Sequence, residues 1–242
     1  MTEHAIDVKD LNVSYKHLQS FSIKRNLLRF QTVEPKIIHA VRDVSFYANK
    51  GEVIGIVGKN GSGKSTLLRT LAGVFAPDSG SIDLHGNSVS LLSLGTGFQN
   101  EVSGRENIFL NGMLLGFSEA QIQEKLDEII AFSELGEFID MPVKSYSSGM
   151  KSKLGFSVTA ILETDIILID EVLSVGDTKF RKKSYAKMRQ LIEDSDRTAL
   201  IVSHQESTLR DLCNRVLWLH EGEIKMLGDS KPVLDAYLAF MK

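Results

Sequence analysis

A glycine-rich stretch near the start of the chain constrains the fold more than any other feature. Gly58 to Thr66 reads GKNGSGKST, and it directly follows the apolar run Val53–Val57. Short apolar runs rich in β-branched residues predict strands that are covered on both faces, as in parallel sheets. Glycines permit the tight turn that leads out of such a strand. The residues from about Ser65 to Leu71 are predicted to form the helix that follows.

The same stretch matches the phosphate-binding loop pattern G-x-x-x-x-G-K-[ST]. In such a loop, successive backbone N–H groups point inward at a phosphate, and the following helix adds the positive end of its dipole. Lys64 is placed to reach the β- and γ-phosphates, and the Ser65 hydroxyl is placed to bind Mg²⁺. A glycine-rich turn with a surface lysine is the alternative, which the flanking strand and helix disfavour. The predicted nucleotide contacts are Gly58, Lys59, Asn60, Gly61, Ser62, Gly63, Lys64, Ser65 and Thr66.

Two carboxylates follow a second apolar run. Ile166–Ile169 leads into Asp170 and Glu171, and a third run, Ala199–Val202, leads towards His204. Ligands of parallel α/β sheets bind outside the carboxyl ends of the strands, so this acidic pair lies at the binding edge. Asp170 is placed to complete the Mg²⁺ shell, and Glu171 is placed to polarise an attacking water as general base. A solvated acidic pair at a strand end is the alternative.

The region from about 98 to 163 predicts a helical subdomain inserted into this α/β core. Ser118 and Gln121 have the spacing of a capping box, which marks the start of a helix. A hairpin is predicted over 217–227 with Glu221–Glu223 as its turn, and a terminal helix over about 230–241. After the capping box, apolar residues recur at helical spacing at Ile122, Leu126, Ile129 and Ile130.

Composition limits the classes of function. The 242 residues carry a formal net charge of −3, which argues against a broad nucleic-acid-binding surface. Cys213 is the only cysteine, so the chain has no internal disulfide and a reducing compartment is expected. The sequence has neither a secretory signal nor the ~18 consecutive apolar residues that a membrane span needs. A role at a membrane would therefore require another chain to supply the span.

Further motifs resemble those of the ATP-binding cassette (ABC) family. Tyr146–Met150 reads YSSGM and resembles the signature motif, usually LSGGQ, about 20 residues before the acidic pair. Ser148 and Met150 depart from the usual motif. Gln99 resembles the Q-loop glutamine, and Ser174–Asp177 resembles the D-loop. These matches run from about residue 5 to 228 and imply an α/β P-loop NTPase fold with a mostly parallel core sheet and an antiparallel β subdomain.

The resemblance also implies roles for single residues. Gln99 would bind Mg²⁺ and sense a membrane partner, and His204 would contact the γ-phosphate of ATP. Tyr15 would stack on adenine, with a plain surface tyrosine as the alternative. The implied domain layout is a core of about 5–97 and 164–228 around the helical subdomain of 98–163. The signature residues that would contact the γ-phosphate are Ser147, Ser148 and Gly149.

The family arrangement implies a symmetric pair of chains. In this family, the phosphate loop of one subunit and the signature motif of the other enclose each ATP. One chain here has one of each, so a homodimer with two ATP molecules is expected, and its interface is self-complementary. ATP binding would close this dimer, and hydrolysis would release it.

Two stretches resemble a particular subfamily, which exports capsular polysaccharide, O-antigen or teichoic acid. They are Leu94–Gln99, LGTGFQ, and Ser103–Ile108, SGRENI, and the YSSGM signature is also typical of that group. The resemblance implies a lipid-linked glycan substrate and integral membrane permease subunits as partners. The chain would then be peripheral, on the cytoplasmic side of the cell membrane.

An insertion from about 16 to 38 separates the first two predicted strands. Its basic and apolar residues alternate as in an amphipathic element suited to a membrane surface or a permease helix. A solvated loop whose apolar residues pack on the sheet is the alternative. The basic residues are Lys16, Lys24, Arg25, Arg29 and Lys36, against the single acid Glu34, and the apolar ones are Leu18, Phe21, Ile23, Leu27, Leu28 and Phe30.

Some members of the subfamily carry a C-terminal carbohydrate-binding domain, which is expected to be absent from a chain that stops at Lys242. Substrate choice would then depend on the permease and the insertion. The competing classes are an importer or efflux ATPase, a non-transport ABC ATPase of DNA repair or the ribosome, and a nucleotide kinase. A kinase would lack the signature motif, and the DNA- or ribosome-acting class usually has paired cassettes or a coiled-coil insertion.

Overall fold

The structure is a computed structural model that describes residues 3–17, 36–92, 97–170, 177–193, 197–203 and 205–241. Its strands are β1 (His4–His17), β2 (Lys36–Asn49), β3 (Val53–Val57), β4 (Ser79–Asp83), β5 (Val89–Leu92), β6 (Ile166–Asp170), β7 (Thr198–Val202), β8 (Arg215–His220) and β9 (Glu223–Asp229). Its helices are α1 (Lys64–Leu71), α2 (Gly104–Leu114), α3 (Glu119–Ser133), α4 (Ser148–Ile161), α5 (Thr178–Glu193), α6 (Glu206–Leu212) and α7 (Ser230–Met241). Two short 3₁₀ turns cover Gly136–Asp140 and Val143–Ser145.

The three apolar runs form adjacent strands of one sheet, as predicted. The six-stranded sheet has the order β5-β6-β7-β3-β8-β9, and its first five strands are parallel. Only β9 runs antiparallel, in the predicted hairpin with β8. Every residue of β3 and β7 is buried, because helices or the second sheet cover both faces. The predicted mostly parallel α/β core is confirmed.

A smaller antiparallel sheet covers one face of this core. Its order is β2-β1-β4. Apolar residues of β1 and β2 pack with α1 and with one face of the parallel strands in a continuous cluster. The opposite face packs against α4, α5 and α7. The antiparallel part of the predicted fold is therefore also confirmed.

The helices α2, α3 and α4 share an apolar cluster of their own. Both α2 and α3 begin with complete capping boxes, at Ser103–Glu106 and Ser118–Gln121, and the second of these confirms the predicted helix start. Caps of this kind contribute about 1 kcal/mol each to helix stability. No helix within the described ranges is long and apolar enough to cross a membrane.

Two element boundaries differ slightly from the prediction. The helix after the phosphate loop begins at Lys64, one residue before the predicted Ser65. The β8–β9 turn consists of Glu221 and Gly222 alone, since Glu223 already pairs with His220. Most of the predicted insertion, 18–35, lies outside the described residues, as do Glu171 and His204.

Candidate nucleotide-binding site

The phosphate loop is held in shape by close backbone packing. Gly63 has φ +102°, and a Cβ atom there would lie 2.1 Å from the carbonyl oxygen of Ala40. A Cβ atom on Gly58 would lie 2.2 Å from the carbonyl oxygen of Leu219. The Gly222 N–H also donates to the Ser62 carbonyl at 3.1 Å. The hairpin and β2 thus fix the loop from outside, and side chains at either glycine would displace it.

Donor groups converge inside the loop. The Lys64 side chain is buried, and its ammonium donates to the carbonyls of Gly58 at 2.7 Å and Lys59 at 3.0 Å. Gly63 is the N-cap of α1, and no side chain caps that helix. The Ser62 hydroxyl is buried and has no hydrogen-bond partner among the described residues. A helix N-terminus, a buried ammonium and an unpaired hydroxyl fit an anionic ligand such as a phosphate chain.

Ser65 and Asp170 form the pair expected at a magnesium site. The Ser65 hydroxyl donates to Asp170 Oδ1 at 3.1 Å, although the two residues are 105 positions apart in sequence. Hydroxyl and carboxylate oxygens are hard ligands, the kind that Mg²⁺ prefers. Both residues therefore fit the predicted metal, and both line the same cavity as the loop.

That cavity has a volume of about 460 Å³ and opens beside the loop. Tyr15 lies in its wall, where its hydroxyl donates to Thr66 Oγ1 at 3.0 Å. The ring meets Phe75 edge-on at a centroid distance of 5.6 Å, so two contacts hold it in place. The lining residues are Tyr15, Ile38, Ala40, Asn60, Gly61, Gly63, Lys64, Ser65, Thr66, Asp170 and Val202.

Other predicted site residues lie elsewhere in the chain. Gln99 is exposed, and Ser147–Gly149 form the N-terminal end of α4, where the Ser147 hydroxyl accepts from the Met150 N–H at 3.2 Å. None of these four residues lines the 460 Å³ cavity. The structure therefore brings together the phosphate loop, Tyr15 and Asp170, and it places the signature turn on a separate surface.

Asp177 is the described part of the D-loop match. Its carboxylate accepts from the Phe180 N–H at 3.0 Å and from the Lys153 ammonium at 2.8 Å. The Lys153 hydrogen bond is the main cause that lowers the pKa of Asp177 to about 2. The residues 174–176 lie outside the described residues. Lys153 is on α4, so an ion pair connects that helix to Asp177, the last residue of the D-loop match.

Sequence reasoning missed several supports of the site. It did not find the Ala40 and Leu219 carbonyls against the loop, because backbone packing leaves no trace in residue type. It also missed Lys153, which pairs with Asp177, 24 residues further along the chain. It did not single out Asn107 either, because the same helix contains other polar residues and nothing in the pattern distinguishes this one.

A match to a family profile identifies the protein family of this chain. The profile described as ABC transporter matches residues 41–174, more than half of the 242-residue chain. The chain belongs to the ABC transporter family. Its phosphate-loop domain is accordingly an ABC ATPase domain, and the predicted family is confirmed.

Three curated relatives of this ABC protein are named as ATP-binding proteins of export systems. The O-antigen export system ATP-binding protein RfbB of Klebsiella pneumoniae is 44% identical over 208 residues, which cover 86% of this chain and 84% of that protein. The teichoic acids export ATP-binding protein TagH of Lactococcus lactis is 44% identical over 218 residues, which cover 90% of this chain. The match covers 46% of TagH and 55% of the Myxococcus xanthus RfbB, so the chain spans about half the length of these two relatives.

Solved structures support the ABC fold. An ATP-binding subunit of an ABC transporter superposes with a TM-score of 0.74 at 22% identity, over 96% of this chain and 93% of that one. A dimeric ATP-binding cassette bound to ADP and Pi superposes with a TM-score of 0.71 at 20% identity, over 93% of this chain and 98% of that one. The second structure is a dimer, the assembly that the sequence predicts for this ABC chain.

Proposed function

We propose that this chain is the ATP-hydrolysing subunit of an ABC exporter that moves a lipid-linked cell-surface polysaccharide across the cytoplasmic membrane. The hydrogen bond between Ser65 and Asp170 at the phosphate loop carries the catalytic half of the proposal. The export half is supported by relatives at 44% identity that are named for O-antigen and teichoic acid export. The cargo would be an O-antigen, a teichoic acid or a capsular polysaccharide.

Each group at the site has a chemical task in this proposal. The loop N–H groups and Lys64 hold the β- and γ-phosphates, with Lys64 exchanging its carbonyl partners for phosphate oxygens. Glu171 polarises the attacking water, and His204 contacts the γ-phosphate. When bound, Mg²⁺ supplies positive charge that offsets the developing negative charge on the phosphate oxygens. Ser65 and Asp170 would hold it in the cavity, and Gln99, which does not line the cavity in this structure, would be the third residue.

Two copies of the chain would complete the site. The signature residues Ser147–Gly149 lie at an exposed N-terminus of the 14-residue helix α4, away from the chain's own cavity. Backbone N–H groups at such a helix end favour an anion. In a symmetric dimer, this end would meet the γ-phosphate held by the partner's loop. The dimeric assembly of the similar cassette supports this arrangement.

An apolar groove beside Gln99 is the proposed contact for an integral membrane permease. Its volume is about 240 Å³, and it lies between α2, α4 and β5. Leu114 is 80% exposed and Val74 is 61% exposed at its rim, unusual values for large apolar side chains. Gly97 and Phe98, directly before Gln99, are also in its wall. An apolar cytoplasmic helix of the permease would cover these side chains and reach Gln99.

A pair of variants on α2 tests the permease contact. Leu114→Glu places a charge in the groove and should abolish co-purification with the polytopic membrane partner, while basal ATP hydrolysis stays unchanged. Met113→Glu is the control, because Met113 is 49% exposed on the same helix but does not line the groove. Equal co-purification of both variants would refute the groove as the contact.

The export reaction is tested with the reconstituted complex. In vesicles, the chain and its permease should move a lipid-linked glycan to the opposite leaflet only when ATP is hydrolysed. Uptake of a small solute would favour an importer, and ATP hydrolysis without any membrane partner would favour a non-transport ATPase. Deleting Phe21 to Phe30 from the basic insertion should preserve ATP binding and impair stimulation by the permease, whereas loss of soluble folding would support a packed loop.

A further inference from the structure

We propose that Asn107 is a positioning residue for Gln99, and that the segment 99–107 joins Gln99 to the signature turn. Asn107 lies in the first turn of α2 and is completely buried. The motif SGREN that contains it has no role in the proposed chemistry. Buried side-chain amides are nearly always hydrogen-bonded, so the partners of Asn107 indicate what this residue does.

The Asn107 side chain binds both backbone groups of Gln99. Its Oδ1 accepts from the Gln99 N–H at 2.8 Å, and its Nδ2 donates to the Gln99 carbonyl at 3.0 Å. Nδ2 also donates to the carbonyl of Ser103 at 2.9 Å. The N–H and the carbonyl of Gln99 are therefore both paired, as they would be beside a neighbouring β-strand. An aspartate has no donor for the two carbonyls, and an apolar side chain can replace none of these bonds.

The segment that follows Gln99 is bonded to the residues around the signature turn. The Lys144 N–H donates to the Asn100 carbonyl at 2.9 Å, and the Val143 N–H donates to the Val102 carbonyl at 3.0 Å. Beyond the turn, the Lys151 ammonium donates to Asn100 Oδ1 at 3.0 Å. Backbone and side-chain bonds therefore connect the segment to both ends of the signature turn.

The other members of the motif strengthen the same connection. A Cβ atom on Gly104 would lie 2.2 Å from the hydroxyl of Tyr146, so glycine allows the signature tyrosine to pack there. The Arg105 guanidinium binds the Asp140 carboxylate at 2.7 Å. Ser103 and Glu106 form the capping box of α2. Each residue of SGREN thus fixes either Gln99, the approach to the signature turn or the helix between them.

The inference rests on the proposed function, in which Gln99 serves the chain's own ATP and senses the permease. Ser147–Gly149 would serve the ATP held by the partner subunit. Because Gln99 and this turn belong to one bonded unit, a displacement of Gln99 would move the turn as well. Asn107 would be the point at which Gln99 is attached to that unit.

The first test measures motion at position 99. Cys213 is buried, so a nitroxide attached to a Gln99→Cys chain reports on that position alone. Adding Asn107→Asp should increase the label's rotational mobility severalfold. Asn111→Ala is the control, because Asn111 is one turn along α2 and, among the described residues, its amide bonds the Asn107 carbonyl and not Gln99. Unchanged mobility in Asn107→Asp, or an equal increase in Asn111→Ala, would overturn the proposal.

The second test is a double-mutant cycle on ATP hydrolysis in the complete chain. Asn107→Asp should lower kcat severalfold, with little change in KM. If Asn107 acts through Gln99, adding Gln99→Ala should leave kcat within about twofold of Gln99→Ala alone. If the kcat of the double variant instead falls by the product of the two single effects, Asn107 acts by a route that does not involve Gln99. Asn107→Ser, which keeps one hydrogen bond, replaces Asn107→Asp in both tests if the latter does not fold.

The two proposals fail separately. The mobility of the label does not depend on catalysis, so it is measurable even in a chain that hydrolyses no ATP. Lack of hydrolysis by the unsubstituted chain would refute the proposed function alone. A rigid label in Asn107→Asp would refute the positioning role alone.

Discussion

The Ser65 hydroxyl donates to Asp170 Oδ1 at 3.1 Å, which joins the helix after the phosphate loop to the end of β6. In the sheet, β7 lies between β6 and β3, the strand that leads into the loop. The Ser65–Asp170 hydrogen bond therefore connects elements on either side of β7, and it places two oxygen ligands at one point of the cavity. Because the three strands are parallel, their carboxyl ends meet at the same edge, and the fold itself creates this proximity.

Asp170→Asn should lower the rate of ATP hydrolysis by about a hundredfold, the usual effect of removing one group that stabilises the transition state. The amide keeps the hydrogen bond from Ser65 but is a poor ligand for Mg²⁺. Phosphate release measures the rate. Asp165→Asn is the matched control, because Asp165 lies directly before the opposite end of β6 and its carboxylate accepts from Ser88. Equal rates in the two variants would contradict the metal-binding role.

Two substitutions test the ring and the hydroxyl of Tyr15 separately. If its ring stacks on adenine, Tyr15→Ala should raise the Kd for ATP by about tenfold, since stacking on a base contributes ~1–3 kcal/mol. Tyr15→Phe keeps the ring and loses only the hydroxyl bond to Thr66, so its Kd should stay near that of the unsubstituted chain. Equilibrium titration with a fluorescent ATP analogue measures both. An equal loss of affinity in both variants would mean that the hydroxyl, which both lack, matters and the ring does not.

Local patterns predicted the parts of the fold that depend on neighbouring residues. The run Val53–Val57 and the glycines that follow it specify a strand and a loop without reference to the rest of the chain. The capping box at Ser118 likewise gives the start of α3. Such features are encoded in periodicity and residue type, so a single sequence is sufficient to find them.

The unpredicted parts of the site depend on distant contacts. The carbonyls of Ala40 and Leu219 that hold the phosphate loop come from β2 and β8, whose approach follows from the packing of two sheets. Asn107 and Lys153 are ordinary polar residues in a helical pattern until their partners are known. Their roles arise from tertiary structure, which composition and spacing do not record.

Glu171→Gln should trap ATP and convert the chain into a stable dimer. Loss of the general base is expected to slow hydrolysis by about a hundredfold or more. Light scattering with and without ATP measures the dimer. Adding Ser148→Glu to this variant is the control, because Ser148 is exposed at the N-terminus of α4 and a negative charge there would repel the nucleotide held by the partner's loop. Hydrolysis at the original rate by Glu171→Gln would show that another group is the base.

Cys213 should react slowly with thiol reagents as long as the chain is folded. Burial raises the pKa of its thiol to about 12, so the reactive thiolate is scarce in the native state. Unfolding returns the thiol towards its ordinary pKa of 9.0. Above that pH, the unfolded chain loses a proton that the native chain keeps, and stability falls as pH rises. A Cys213→Ala chain should lack this part of the alkaline decrease in the urea midpoint.

The ion pair between Lys153 and Asp177 should stabilise the chain in a manner that depends on pH. The pKa of Asp177 is lowered from 3.8 to about 2, mainly by its hydrogen bond from Lys153 and also by the backbone N–H groups of Phe180 and Lys179. A carboxyl whose pKa is lower in the native state stabilises it above the unfolded value, and that contribution is lost as pH falls through the native value. Lys153→Met removes the charge, and with it the contact of the ammonium with the Phe180 ring at 5.0 Å, which does not depend on pH in this range. Lys153 also pairs with Glu134 at 3.5 Å, so the variant loses both acidic partners.

The urea midpoint of Lys153→Met should therefore lie below that of the unsubstituted chain at neutral pH, and the two should converge between pH 3.8 and about 2. Lys151→Met is the control, because the Lys151 ammonium bonds the neutral amide of Asn100 rather than an acid. Its midpoint should differ from the unsubstituted chain by an amount that does not change with pH. If both variants converge alike, the pH dependence comes from groups other than Asp177, and the link between α4 and the D-loop contributes no charge-dependent stability.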